Sequence, residues 1–426
     1  MLKAFNFKSD FFKNVLVLTS GTVLAQMVAY LLIPIITRLY TPDDMAEMAL
    51  FIRIIGVGSA LATFRYELAL PIITANNHSF HLYKFAVRVT IITSVLSALG
   101  IIIPFLFFKD LSQFLFYALI PAGIAFSAFM YLGTNWALRF KQFRLITITK
   151  MVNSVGANGT KVLFGFLQWG YIGLLLGTVI GVLLSSLLFF KDFFTSSKKY
   201  GVRWKSKKSF AIAKQFNEFP KVNLPHTLLD MLRDLLVASI LWELYGQTEY
   251  GYYSHTYQML RLPLILVGSS ISQVFFQRCA EKLNKGIPIQ DVAFASIRLL
   301  ILLSIVPFTI IFFFGEDIFS FVFGQRWKES GIYAEIMAVW LMMNFVLSPL
   351  SILPLLLKKQ RQFLYWNFLG LLMMVLALVI PSVYYSATIY QTLWIVSVSQ
   401  AAYFVALIFF MLSLSKRALN QNAYNQ

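Results

Sequence analysis

One cysteine in 426 residues, Cys279, excludes an internal disulfide and leaves no set of thiolates for a metal. The four histidines are scattered, and His78 with His81 has too few neighbouring ligands for a metal site. Acid is scarce, 18 Asp and Glu against 36 Lys and Arg. There is no Gly-Lys-Ser/Thr phosphate-binding loop, so the chain does not hydrolyse nucleotide by itself, and no cofactor is expected. Long hydrophilic stretches are also missing. The longest, 191 to 221, is a connector, and the longest stretch predicted on the opposite side, 315 to 330, is too short for a folded domain.

Apolar sequence fills the space. Fifty-eight per cent of residues are hydrophobic and 16% aromatic, in runs long enough to span a bilayer. A net charge of +18 could signal nucleic acid, but the basic residues sit in short gaps between apolar runs. That is the positive-inside arrangement of a polytopic α-helical membrane protein, with no nucleic-acid partner. Twelve spans are predicted: 14 to 37, 44 to 66, 85 to 108, 112 to 137, 147 to 168, 171 to 190, 222 to 244, 250 to 277, 294 to 314, 331 to 357, 362 to 381 and 389 to 414. The first is too long for a signal-peptide core and is kept as a span. Lys3, Lys8 and Lys13 alternate with phenylalanines before it, as in an interfacial helix. With both termini in the cytoplasm, the outer loops hold only Arg38, Lys109, Arg326 and Lys328.

The hydrophilic segment divides the spans six and six, predicting a lobe over 1–190, a basic cytoplasmic linker over 191–221 and a second lobe over 222–426. Lys198, Lys199, Lys205, Lys207 and Lys208 in the linker suit anionic headgroups. A repeat supports the division. Leu39-Tyr40-Thr41-Pro42-Asp43-Asp44 joins spans one and two; Leu244-Tyr245-Gly246-Gln247-Thr248-Glu249 joins spans seven and eight. Each Leu-Tyr pair is followed by a cap residue and an acid three positions on, the signature of a helix start, with Pro42 adding to the first copy. An even number of spans per half gives parallel lobes related by a pseudo-twofold along the membrane normal, with a central cavity for substrate.

Span seven is unusual. At 1.5 Å per residue it covers roughly 34 Å, yet it carries Asp230, Arg233 and Asp234 near its middle. Asn223, His226 and Thr227 share their face, which continues as Val237, Leu241 and Leu244. Arg53 shares a face of span two with Ala49, Gly56 and Ala60, and Arg261 a face of span eight with Ser254, Tyr257, Gln258, Gly268 and Ser272. In span five Lys161 lines up with Ser154, Asn158 and Gln168; span one adds Thr19, Thr22, Gln26, Tyr30 and Thr37. A charge facing lipid costs about 2.5 to 3.5 kcal/mol on insertion scales, so these groups are expected to face inward. Arg53, Lys161, Arg233 and Arg261 outnumber Asp230 and Asp234, a balance suited to an anionic cargo such as a diphosphate. Other signals read as structural. Arg65 and Glu67, two apart, should not face each other on a helix and should anchor its end to a neighbour. Gly173, Gly177, Gly181 and Ser185 give span six a small-residue packing face. Pro34, Pro307, Pro349 and Pro354 fall in or near spans as sites of bending.

On its Arg38-to-Asp44 turn and its Arg65-Tyr66-Glu67-Leu68-Ala69 run, the chain resembles the O-antigen (Wzx-type) polysaccharide flippases of the multidrug, oligosaccharidyl-lipid and polysaccharide exporter superfamily. The resemblance implies alternating-access transfer of an undecaprenyl-pyrophosphate-linked oligosaccharide from the cytoplasmic to the periplasmic leaflet of the cell inner membrane. Coupling to protons or sodium ions, with Asp230 and Asp234 as candidates, and assembly with a polymerase and other pathway proteins would follow. The cavity residues would be Arg53, Lys161, Arg233, Arg261, Gln26, Asn158 and Gln258, with Arg53 and Arg261 where related flippases keep arginines. The alternatives are a multidrug or cation antiporter of the same superfamily, for which an excess of buried acid is expected, and a membrane glycosyltransferase or polymerase of the same pathway. Asp43 and Asp44 do stand where such glycosyltransferases keep acids. Helix capping accounts for both, and the short outer loops argue against an enzyme.

Overall fold

The computed structural model describes residues 10–105, 111–201, 207–357 and 359–422. Residues 1–9 of the predicted interfacial segment, Lys109, Lys205 and Lys358 lie outside them, as do the side chains of Lys13, Thr19 and Thr22. Among the described residues the chain is almost wholly helical. Twelve long helices follow the predicted spans in order: α1 (Asp10–Leu39), α2 (Pro42–Thr63), α3 (Asn76–Phe105), α4 (Leu111–Arg139), α5 (Phe143–Phe166), α6 (Gly170–Tyr200), α8 (Leu224–Tyr245), α9 (Gln247–Asn284), α10 (Gln290–Phe323), α11 (Lys328–Leu347), α13 (Gln360–Tyr385) and α14 (Ile389–Asn422). Two short helices, α7 (Lys207–Gln215) and α12 (Leu353–Leu356), fall between them. Eight of the long helices are apolar and long enough to cross a membrane, and α1 adds the shorter apolar stretch Val23–Leu39. The remaining three, α5, α8 and α9, owe their lower hydropathy to faces on which Lys161, Asp230, Arg233, Asp234 and Arg261 stand.

The chain forms two compact units, Met1–Leu236 and Val237–Gln426, divided inside α8. The first has an aromatic core where Phe80 and Tyr83 of α3 meet Trp136 of α4 and Phe193 of α6, with ring centroids 5.1 to 6.0 Å apart. The stretch predicted as a connector is folded onto this unit: Ser209, Ile212 and Ala213 of α7 are buried, and Ala213 O accepts a bond from the Tyr66 hydroxyl at 3.2 Å. The small-residue face of α6 packs as predicted. A Cβ on Gly177 would meet Lys161 Cγ at 2.6 Å, and one on Gly181 would meet Ala157 at 2.5 Å.

In the second unit the predicted loop 315–330 is mostly helix. α10 runs on to Phe323, and only Gly324 and one turn of 3-10 helix separate it from α11. Gly315 ends an apolar run and so looks like a helix stop, but its smallness serves close approach: a Cβ on Gly331 would sit 2.4 Å from Gly315 O. Lys328 and Glu316 close this end of the hairpin with a 2.8 Å ion pair. Span ten, predicted as continuous to 357, breaks after Leu347 into a 3-10 turn and α12, where Pro349 and Pro354 remove backbone donors. α10 keeps Pro307 within it and departs from helical angles at Phe314 (φ −133°).

The repeat is visible in the bonds of its tyrosines. Tyr40, at the end of α1, donates to Lys161 O of α5 at 2.7 Å and touches α6 at Gly173. Tyr245, at the end of α8, reaches the Ser382 hydroxyl of α13 at 2.5 Å and the Thr392 hydroxyl of α14 at 2.6 Å. Each therefore ties the first helix of its half to the fifth and sixth.

Candidate functional site

In the first unit α2 begins with the predicted capping box: Thr41 Oγ1 accepts from Asp44 N at 3.2 Å, and Asp44 Oδ2 accepts from Thr41 N at 2.8 Å. This fixes the phase of the helix and so the direction of Arg53, three turns in. Its partners on the helix, Phe51 and Ile55, are buried, while Arg53 is half-buried and donates from Nη1 to Ala49 O at 3.1 Å. Gly56, on the same face, has open space where a Cβ would stand. An arginine beside a bare helix surface can turn its guanidinium toward a planar anion.

Gln26 and Asn158 are brought to one helix pair. Ser154 Oγ of α5 donates to Ala25 O of α1 at 2.6 Å, next to Gln26, and Asn158 Nδ2 donates to Ser154 O at 2.8 Å. Gln26 is half-buried and its Oε1 is enclosed without a hydrogen-bond partner, an acceptor left over by the packing. Lys161 is buried, and its stem lies against Gly177 in the contact between α5 and α6. It therefore sits beside a different helix from the one that Ser154 meets.

The polar first half of α8 is open. Asp230 is 69% exposed, with the His226 ring close by, Nδ1 to Oδ2 at 3.9 Å, while Arg233 and Asp234 are half-buried. The second half is closed, with Val237, Ala238 and Leu241 buried. The predicted change from polar to apolar along this face is thus a change from open to packed.

Arg65 and Glu67 do face each other, at 2.9 Å, against the expectation from helix spacing. The physical reason is that α2 has already ended: Phe64 and Arg65 are both left-handed (φ 48° and 58°), and Glu67 lies on a 3-10 turn. The Glu67 side chain is 1% exposed, and burial pushes its carboxyl above the usual carboxylate range, with Arg65 opposing.

In the second unit Arg261 is half-buried with its guanidinium 4.9 Å from the centre of the Tyr257 ring. That ring lies nearly parallel to Tyr253, at 5.9 Å, and to Trp340 of α11, at 6.0 Å, and Trp340 in turn stacks with Phe404 of α14. Sequence spacing placed Tyr257 on the Arg261 face but could not supply Trp340 and Phe404, which come from other helices. Gln258, one residue on, is exposed. Among the described residues no group of three or more His, Cys, Asp or Glu could hold a metal ion.

Comparison with known proteins sets these faces in a family. Solved structures share the fold: an inward-facing multidrug-resistance MATE family transporter of the MOP superfamily matches over 92% of this chain and 96% of its own, at 13% identity and TM-score 0.73. An outward-facing MATE family transporter of the same superfamily matches at 12% identity and TM-score 0.59, covering 96% of this chain and 98% of its own. A MOP superfamily transporter from Pyrococcus furiosus, described as having a binding pocket of reverse polarity that suggests a different function, matches at 12% identity and TM-score 0.54, covering 95% of this chain and 94% of its own. A search of curated proteins found no match. The family model for polysaccharide biosynthesis proteins matches residues 35–332. A multi-pass membrane chain with the MOP transporter fold, it belongs to the polysaccharide biosynthesis protein family.

Proposed function

We propose that the protein is a flippase that moves an undecaprenyl-pyrophosphate-linked oligosaccharide, an O-antigen or similar repeat unit, across the inner membrane by alternating access. The observation that carries this reading is the coincidence of a polysaccharide-biosynthesis family match with a transporter fold. The charge balance near the middle of the segments read as spans supports it: Arg53, Lys161, Arg233 and Arg261 outnumber Asp230 and Asp234. The diphosphate pairs with Arg53, Arg233 and Arg261, whose forked donors match phosphate oxygens. Gln26, Asn158 and Gln258 offer hydrogen bonds to sugar hydroxyls, Lys161 adds positive potential, and the prenyl tail stays in lipid. Asp230 or Asp234 takes up the coupling proton or sodium ion. Both termini and the α7 segment lie in the cytoplasm, and a polymerase receives the product. Multidrug-resistance transporters of the MATE family share the fold, but a drug or cation antiporter calls for acid in excess, opposite to the balance near the middle of these spans.

The test uses a strain lacking its own copy and restored with this chain. Restored cells display surface polysaccharide, and Arg53→Ala or Arg261→Ala at normal protein level abolishes it. Full polymer from both variants, or drug resistance in place of polymer, overturns the reading.

A further inference from the structure

Where α9 turns back into α10 in the second unit, the two helices leave a groove of about 340 Å³ between them. Its floor is the buried Phe275, and its walls are Ile271 and Val274 of α9 and Leu299 of α10, with Val274 and Leu299 exposed. Arg278 and Ser296 supply its polar groups. Arg278 stands six residues before the end of α9 at Asn284, and Ser296 six residues after the start of α10 at Gln290. Lys282 pairs with Asp291 across the turn, so Arg278 and Ser296 lie at about the same height on facing helices. Ile271 is seven residues from Arg278, roughly 10 Å deeper along α9. The groove is therefore polar at its mouth and apolar below, and the mouth falls just past residue 277, where span eight was predicted to end.

The charge at that mouth sums to one. Lys282 is held by Asp291, and Lys285 by Glu281 at 2.6 Å, so these charges cancel in pairs. Arg298 is turned roughly 200° around α10 from Ser296 and does not line the groove. Arg278 is exposed and, among the described residues, has neither an ion pair nor a hydrogen bond. One free guanidinium above an apolar trough complements a lipid whose headgroup carries a single negative charge, whereas a prenyl diphosphate carries more charge than one arginine balances. We infer that the groove between α9 and α10 binds an anionic glycerophospholipid, its phosphate taken by the Arg278 guanidinium and the Ser296 hydroxyl and one acyl chain laid over Phe275 between Val274 and Leu299. Arg261 stands seventeen residues back along α9, roughly 26 Å away, so this site is distinct from the arginine faces of the transport reading. Only the choice of leaflet, the cytoplasmic one, rests on that reading.

The test is binding of fluorescent phosphatidylglycerol and phosphatidylcholine to the purified full-length protein in neutral detergent, with farnesyl diphosphate and unlabelled phosphatidylglycerol as competitors. The wild type is expected to prefer phosphatidylglycerol. Arg278→Gln weakens phosphatidylglycerol by about fivefold, the worth of one basic residue near an anionic headgroup, and leaves phosphatidylcholine unchanged. Ala295→Phe, which sets a ring into the groove from α10, weakens both lipids. Arg298→Gln removes an exposed arginine off the groove and leaves both at wild-type affinity, which separates the site from the general attraction of a basic surface. Both arginines are exposed, so their replacement leaves folding intact. Wild-type affinity for phosphatidylglycerol in Arg278→Gln, equal loss in the two arginine variants, or displacement by farnesyl diphosphate at lower concentration than by phosphatidylglycerol overturns the site. Because no transport is measured, a failed flippase reading leaves the result standing.

Discussion

The two Leu-Tyr turns start alike and end differently. After Tyr40 the chain closes a full capping box on Thr41 and Asp44. After Tyr245 it passes through Gly246 at φ 93° with no side-chain cap, and Glu249 instead accepts a hydrogen bond from the Tyr333 hydroxyl of α11. Both tyrosines still reach the fifth and sixth helices of their halves. The tie between first, fifth and sixth helices is therefore what both copies of the turn keep, and the way the second helix is started is free to change. Once glycine supplies the turn, the acid is released to join α9 to α11.

The same contrast runs through the helix contacts and ranks the consequences of breaking them. The largest effect is expected at Gly331, where an added methyl meets backbone: Gly331→Ala costs about 3 kcal/mol, at the upper end for overpacking. Gly177→Ala in the first unit meets Lys161 Cγ at 2.6 Å but comes no nearer than 3.0 Å to backbone, and costs about 1 to 2 kcal/mol. Thermal unfolding of both variants in detergent, with a larger fall in Tm for Gly331→Ala, checks the order.

Next come the tyrosines. Tyr245→Phe removes bonds to two hydroxyls and costs about 2 kcal/mol; Tyr40→Phe removes one bond to a helix carbonyl and costs about 1 kcal/mol. Equal losses of Tm would break the claim that the second tie is the stronger. Thr41→Ala, which opens the capping box, costs about 1 kcal/mol, while Glu249→Gln keeps an acceptor for Tyr333 and leaves the start of α9 unchanged. Hydrogen exchange at the first turn of each helix reads that difference.

The smallest effect concerns pH. Glu67 titrates above its unfolded value because it is buried. Between the ordinary carboxylate range and that raised value the folded chain holds a proton that the unfolded chain has lost, so stability falls as pH rises through this window. Glu67→Gln removes the titration, and Tm measured from pH 4 to 8 should flatten over that range relative to wild type.

Much of this was legible in the residues. Twelve predicted spans correspond to twelve long helices among the described residues because in lipid a backbone must satisfy its own hydrogen bonds; hydropathy reads eight of them directly, and α5, α8 and α9 are read despite their charged faces. Thr41 with Asp44 announced a cap, and the Gly173, Gly177 and Gly181 spacing announced a packing face. Gly315 misled because glycine serves both turns and close contacts, and only the facing residue, Gly331, decides which. Arg65 with Glu67 misled because spacing rules presume a helix that two left-handed residues had ended. Faces could be read, but partners brought by other helices could not: the Trp340 ring under Tyr257, the α7 helix across Phe85, and the Gly177 surface against Lys161 all come from distant sequence.

The central claim is that this chain carries a diphosphate-linked oligosaccharide across a bilayer. Its most direct test is transfer of a fluorescent undecaprenyl-pyrophosphate-linked oligosaccharide between the leaflets of vesicles containing the purified protein, with and without proton and sodium gradients. The account predicts transfer that an imposed gradient accelerates and that Arg53→Ala and Arg261→Ala abolish. Transfer equal to that of protein-free vesicles, or undiminished in both variants, would contradict it.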